Sequence, residues 1–346
     1  MLRPFLLLVS IVLVGMAFTR QTPTPYSFTI PGTFGNRFTI PADNPTTQEG
    51  VELGRYLFYD SLLSKNNTIS CSSCHQQNKA FTDGLSISIG VSGRPTFRNS
   101  MSLVNLLWVR DFFWDGHSTS LEAQALVPMA HPDEMGLAPE KTALKLQQTP
   151  FYPGRFEKAF GTSTITADLI AKALAQFERT LISANAPYDQ YLQGKYILTE
   201  AEKRGMHLFM HGPEGKRGGN SCAHCHGSAK FFQNVFHNNG LDKSPLDPGR
   251  QDLTGIDDDF ARFRVPTLRN IAITAPYMHD GRFLTLDQVI DHYSDHIEPS
   301  RTLSRDLGGS LHLTPSEKKD LLAFLHTLTD STFLTDQRFS NPFLKY

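Results

Sequence analysis

Cys71-Ser72-Ser73-Cys74-His75 and Cys222-Ala223-His224-Cys225-His226 each read C-x-x-C-H. This is the attachment pattern of a c-type haem. Two thiols add across the two vinyl groups of a porphyrin, and the histidine that follows reaches the iron from one side. The two stretches use all four cysteines of the chain. A disulfide framework has no need of a histidine after each pair. A structural zinc site more often adds a second C-x-x-C or an H-x-H nearby. A thioredoxin-like redox pair would sit on a βαβ pattern, which the sequence lacks. The reading is therefore two covalently bound haems, attached through Cys71 and Cys74 with His75, and through Cys222 and Cys225 with His226.

A chain of 346 residues is long enough for two domains with their own cores, and the separation of the motifs fits one haem per domain. The formal net charge is −1, from 33 basic and 34 acidic residues, which argues against a nucleic-acid partner. Met1-Leu2-Arg3-Pro4 followed by an apolar run from Phe5 to Phe18 reads as a secretory signal, with Gly15-Met16-Ala17 as a cleavage site. The run is shorter than the ~20 apolar residues of a comfortable spanning helix, so an uncleaved anchor is the lesser reading. Export agrees with the cysteines, because covalent attachment to C-x-x-C-H takes place outside the bacterial inner membrane.

Residues 21–45 are rich in Pro, Thr and Gly and read as an irregular arm or linker. Thr46-Thr47-Gln48-Glu49 has the spacing of a capping box, Thr46 first and Glu49 three later. It opens a helix that leads into the first motif. A short helix is expected from Ser120 to Val127, stopped by Pro128, and another near Pro139 to Gln148. A stronger one starts at Thr166, with Ile170, Leu174, Phe177 and Leu181 on one face. Thr199-Glu200-Ala201-Glu202 is a second capping box, before the helix that precedes the second motif. Thr285 to Tyr293 reads as helix, and Thr314-Pro315-Ser316-Glu317 caps the last one. Helix, C-x-x-C-H, loop, helix thus occurs twice, a weak internal repeat. The expected fold is mostly α: two cytochrome c-like helical domains with long loops, residues 46–195 and 196–335, and a tail at 336–346. Asp257-Asp258-Asp259 reads as a solvated turn.

Several stretches resemble the bacterial di-haem cytochrome c peroxidases and the related di-haem enzymes that mature the tryptophan-derived quinone of methylamine dehydrogenase. They are Leu53-Gly54-Arg55-Tyr56-Leu57-Phe58, Phe112-Phe113-Trp114-Asp115-Gly116, Ala123-Gln124-Ala125 and Phe236-His237-Asn238-Asn239-Gly240-Leu241. The strongest are Phe263-Arg264-Val265-Pro266-Thr267-Leu268-Arg269-Asn270 and Ala275-Pro276-Tyr277-Met278-His279-Asp280-Gly281. The resemblance runs from about Gly50 to Thr329.

The resemblance implies that the His75 haem binds hydrogen peroxide, with Gln124 and Glu134 beside it and Pro128 between them. Read alone, Glu134 is a surface acid and Gln124 an exposed helix residue. A carboxylate over the iron can take a proton from one peroxide oxygen and return it to the other, and an amide can orient the oxidant. Trp114 is implied to lie between the haems. The His226 haem would transfer electrons. Its second ligand in the well-known peroxidases is a Met, and Tyr293 falls on that position here, as in the quinone-maturing enzymes. His292 and Met278 are alternatives. Val91 stands where many of the peroxidases carry a loop histidine that closes the resting haem, for which His117 or His131 could substitute. Asn99, Thr274 and Pro276 match a calcium site between the domains.

The activity implied is peroxide reduction to water in the periplasm, with a small cytochrome c or copper protein as donor and a homodimer as the common assembly. The rivals are a di-haem oxidase that modifies a partner protein at a distance, and a plain di-haem electron carrier.

Overall fold

The computed structural model describes residues 22–213 and 221–344. The signal or anchor expected over residues 1–20 lies outside them. The helices run in order: α1 Gln48–Tyr59, α2 Cys71–Cys74, α3 Leu121–Ala130, α4 Pro139–Gln147, α5 Pro153–Phe160, α6 Ala167–Arg179 and α7 Pro187–Leu192. They continue as α8 Glu200–His211, α9 Ala223–His226, α10 Gln251–Thr254, α11 Leu286–Asp295, α12 Pro315–His326 and α13 Ser331–Thr335. The one sheet among the described residues pairs β1, Phe236–His237, with β2, Phe263–Arg264. No helix among the described residues is long and apolar enough to cross a membrane.

The internal repeat has a physical basis. In the first half α1 crosses α6 at Gly54, where a Cβ would stand 1.9 Å from the Ala173 carbonyl oxygen and 2.9 Å from Phe177 Cβ. In the second half α8 crosses α12 at Gly205, where a Cβ would meet the Asp320 oxygen at 1.9 Å and Phe324 Cβ at 2.9 Å. Only glycine lets the backbones approach this closely. Each crossing is locked by an aromatic pair: Phe58 and Phe177 with centroids 5.3 Å apart, and Phe209 and Phe324 at 5.2 Å. Each glycine-bearing helix is followed by its C-x-x-C-H helix, α2 or α9, so one packing unit is used twice.

The caps agree with the sequence at Thr166, Thr199, Thr285 and Thr314, whose side chains accept from the third helical residue. The first cap differs. Thr47, not Thr46, accepts from Gly50 N, while the Glu49 carboxylate accepts from Thr24 N at 2.7 Å and Thr24 Oγ1 at 2.9 Å. The arm causes this shift. It pairs with the start of α1 through Tyr26 N to Thr46 O and Gln48 N to Thr24 O, which moves the cap by one residue. Pro128 does not stop α3, which continues to Ala130. The ring removes only the bond to the Gln124 carbonyl, and His131 N still closes the end on Val127 O at 3.0 Å.

The two cores exchange segments. Tyr188 of α7 packs in the second core with Phe231 and Phe324, so packing changes over before the boundary expected at residue 195. In the other direction, Phe333 and Phe339 return to the first core, where Phe333 meets Phe81 at 5.7 Å. Gln77 Nε2 donates to Phe333 O and Asp336 O, and Tyr59 Oη to Phe339 O. The arm adds a third cluster: Phe34 packs on Trp108 and Phe232, one from each half, and Trp108 Nε1 donates to Gly35 O at 3.2 Å. Arg269 lies under Phe34 and pairs with Asp189 inside the protein.

Candidate functional site: two cysteine-histidine centres

At the first motif Ser70 caps α2, with Ser70 N donating to Ser73 Oγ at 3.0 Å. His75 follows with Nδ1 2.8 Å from the Phe81 carbonyl oxygen. A carbonyl can only accept, so Nδ1 carries the proton and Nε2 keeps its lone pair. At the second motif His226 Nδ1 stands 3.1 Å from the Pro266 carbonyl in the same way. Burial lowers the proton affinity of both rings, taking His226 down to about 4. Each ring is therefore neutral and oriented, which is what an iron ligand requires. None of the four cysteines is in a disulfide. Burial pushes the thiols up, Cys74 and Cys225 to about 11 and Cys222 to about 12, so they are not poised as redox nucleophiles. Among the described residues no three His, Cys, Asp or Glu side chains form a metal-holding group.

Cys222, Cys225, His226, Tyr293, Met278 and Trp114 line one large, mainly apolar cavity. On its wall Arg264 is 6% exposed. Its Nε donates to Phe113 O at 3.2 Å and its Nη2 reaches Met101 Sδ at 3.2 Å. It forms no ion pair among the described residues, and burial pushes it down to about 10. A buried cation on an apolar wall calls for an anionic partner. Haem, an apolar disc carrying carboxylates, fits both properties.

The candidates for the second ligand converge on Asn239. Its Nδ2 lies 3.2 Å from Tyr293 Oη and 3.4 Å from Met278 Sδ, so both side chains border the same space. His292 differs: its Nε2 donates to the Asn239 backbone carbonyl at 3.0 Å, and it does not line the cavity. Burial, with the nearby thiols, pushes the Tyr293 phenol up to about 12, while the Asn239 amide pulls the other way.

Gln124 and Glu134 lie outside this cavity. Glu134 sits in the turn after α3, closed by Glu134 N and Gly136 N on His131 O, both at 3.0 Å. Its carboxylate acts electrostatically on Cys71 and Cys74, which puts it beside the first motif. Burial raises its proton affinity, and His131 and His117 oppose that. His131 Nδ1 is 3.9 Å from Glu134 Oε1. His117 is stacked on Phe113 and held by Asp115 at 2.6 Å.

Trp114 Nε1 donates to Asn99 O at 2.9 Å. Asn99 N donates to His279 O at 2.7 Å, and its Nδ2 to Leu85 O at 2.9 Å, leaving Oδ1 as the side-chain acceptor. Asn99, Thr274 and Pro276 all border the cavity. Asp257, Asp258 and Asp259 are engaged elsewhere, by Gln251, Arg301 and Arg262.

Sequence reasoning gave no role to Asn239, Arg264 or Glu178. Glu178 had a signal: it stands eight residues after Ile170 and four after Leu174, at the edge of an apolar stripe, and it is 5% exposed.

A helical fold with two cysteine-histidine centres has the layout of a di-haem c-type protein, and the comparisons give the family. The di-haem cytochrome c peroxidase family matches residues 48–196. The methylamine utilization protein MauG of Methylorubrum extorquens is 38% identical over 292 residues, 83% of this chain and 80% of that protein. The cytochrome c551 peroxidase of Nitrosomonas europaea is 35% identical over 296 residues, 84% of this chain and 83% of the relative. The crystal structure of a MauG-like protein associated with microbial copper homeostasis superposes with a TM-score of 0.84 at 38% identity, over 92% of this chain and 99% of that one. This chain belongs to the di-haem cytochrome c peroxidase family, a family of oxidoreductases that implies two c-type haems.

Proposed function

We propose that the protein is an exported, periplasmic di-haem oxidase that reduces hydrogen peroxide to water and takes the electrons from a partner protein. The observation that carries the choice of electron source is Tyr293, half-buried on the cavity wall at the second centre with its phenol oxygen 3.2 Å from Asn239 Nδ2. A tyrosine ligand favours ferric iron and lowers the potential, which suits an oxidising site better than a relay for incoming electrons.

Bound at these centres, the haems supply one-electron transfer and activation of the peroxide O–O bond. Cys71 and Cys74 hold the first and Cys222 and Cys225 the second, with His75 and His226 offering Nε2 to the irons. Glu134 takes the proton of the near peroxide oxygen and delivers it to the far one. Gln124 orients the oxidant through its amide. Trp114, fixed by Asn99, gives holes an aromatic step between the centres. Asn99 Oδ1 and the backbone oxygens of Thr274 and Pro276 offer neutral hard donors that suit calcium.

A second reading, a peroxidase fed by a small cytochrome c or copper protein, is favoured by Met278 at the same amide and by the kinship with a cytochrome c551 peroxidase. The deciding experiment mixes diferric protein with peroxide in a stopped-flow spectrometer, then adds reduced cytochrome c. A fast Soret change that persists in the presence of the cytochrome supports the partner-protein reading. Rapid turnover of the cytochrome supports the second. No Soret change in the diferric or the half-reduced protein overturns both.

A further inference from the structure

Peroxide reduction consumes two electrons and two protons per peroxide and yields two waters. Glu134, acting as proposed, only moves one peroxide proton from oxygen to oxygen, so it supplies none. The protons must reach the first centre by another route.

All the buried side-chain polar atoms left without a hydrogen-bond partner among the described residues fall in one layer of the molecule. They are Glu178 Oε2, Arg179 Nη1, Glu122 Oε2 and Thr46 Oγ1. The layer lies where α6, α3 and the entry to α1 meet. Arg179 Nη2 holds Glu122 Oε1 at 2.6 Å, and Asn44 Nδ2 donates to the same oxygen at 2.6 Å. Gln176 Nε2 donates to Asn44 Oδ1 at 2.8 Å, and Gln176 Oε1 receives Thr47 N at 2.9 Å. At the outer end Asn44 Nδ2 also meets Lys172 O, beside the Lys172–Asp43 ion pair, whose aspartate is 74% exposed. At the inner end stands Glu178. The carboxylates that act on the Cys71 sulfur are Glu178 and Glu134, so the two acids approach the first centre from different elements. Glu178 is the neighbour of Arg179 in α6 and is coupled electrostatically to Arg179, to Glu122 from α3 and to Cys71 from α2. Buried polar atoms without protein partners are ordinarily satisfied by internal water, which also carries protons.

We propose that Glu178 is the inner end of a proton-delivery path running from the Asp43–Lys172 surface through Asn44, Glu122 and Arg179 to the His75 centre. The path rests on the peroxide-reducing function proposed above, whichever protein supplies the electrons. Burial, opposed by Arg179 and reinforced by Glu122, lifts the Glu178 carboxyl to about 8, so the acid holds its proton at neutral pH and can release it inward.

The test compares the wild-type holoprotein with Glu178→Gln. Difference infrared spectra of the resting protein, without peroxide, come first. A protonated-carboxyl band at neutral pH that fades through mildly alkaline pH, and is lost in Glu178→Gln, is expected. Its persistence in the variant overturns the proposal. In stopped flow, the first Soret change with peroxide is expected to stay within about twofold, since that step uses Glu134. The return to the resting spectrum on adding ascorbate and a redox mediator is expected to slow more than tenfold and to lose its decline with rising pH. An unchanged return overturns the path while leaving the peroxide chemistry standing. A wild type inert to peroxide overturns both. If Glu178→Gln does not accumulate as holoprotein, Glu178→Asp keeps the acid one methylene further out. It is then expected to return more slowly than wild type, and an equal rate overturns the proposal.

Discussion

The backbone N–H of Val91 donates to the backbone carbonyl of Glu134 at 2.7 Å. The loop in which the resemblance expects a closing histidine is thus pinned against the turn that carries the acid. Gly90 makes the approach possible, since a Cβ there would stand 1.8 Å from Asp133 O. The loop is held close to the site and brings an aliphatic side chain instead of an imidazole. Diferric protein is therefore expected to react with peroxide without prior reduction. Val91→His should supply the missing ligand and slow the Soret change at least tenfold until the second haem is reduced. Equal rates in variant and wild type would refute this account of the loop.

Glu134 has a pH signature. Its carboxyl is held above the usual range by burial, and in the proposed mechanism the base form takes the peroxide proton. The rate of the first Soret change should rise with pH through that raised value and then level off. His131 and His117 pull the value down, so His131→Asn should move the midpoint to higher pH. Glu134→Gln should abolish the pH dependence and lower the rate by about 10²–10⁴-fold, the usual worth of a positioned base. A stopped-flow pH series reads all three.

Tyr293 and His292 are separated by one substitution each. Tyr293→Phe should shift the second haem's potential upward by more than one decade of the redox equilibrium, about 59 mV for one electron. His292→Gln keeps a donor for the Asn239 carbonyl and should leave that potential nearly unchanged. Spectroelectrochemical titration decides, and the reverse pattern would assign the ligand to His292.

The paired glycine crossings predict paired instability. Gly54→Ala and Gly205→Ala each force a methyl group against a backbone oxygen, and overpacking of this kind costs about 1–3 kcal/mol. Denaturant titration should show both losses. Gly154→Ala, where nothing lies within 4 Å, serves as a control and should show none.

The chemistry-bearing parts were the most legible in the sequence, because local spacing encodes them. The cysteines and their histidines lie within five residues, and four of the helix caps are set by a Thr and the residues just after it. What escaped depends on distant partners. The cap moved from Thr46 to Thr47 because Thr24 competes for Glu49. Pro128 was expected to end a helix that loses only one hydrogen bond. Asn239 could not be singled out, since its amide acts on Tyr293, 54 positions later. Chain order also hid the return of Phe333 and Phe339 to the first core. Glu178 carried a local signal that went unread: its place on an apolar stripe marks a buried acid.

That return has a consequence for biogenesis. A chain is synthesised from its N-terminus, so Phe81 and the Cys71–His75 segment emerge long before Phe333 and Phe339. The wall over the first core is the last part delivered. Until then the face of the first core that Phe333 and Phe339 cover stays bare, and its closure waits for the final stretch of polypeptide. The order of synthesis thus works as a timer, closing the first core only once the segments of the second have been made.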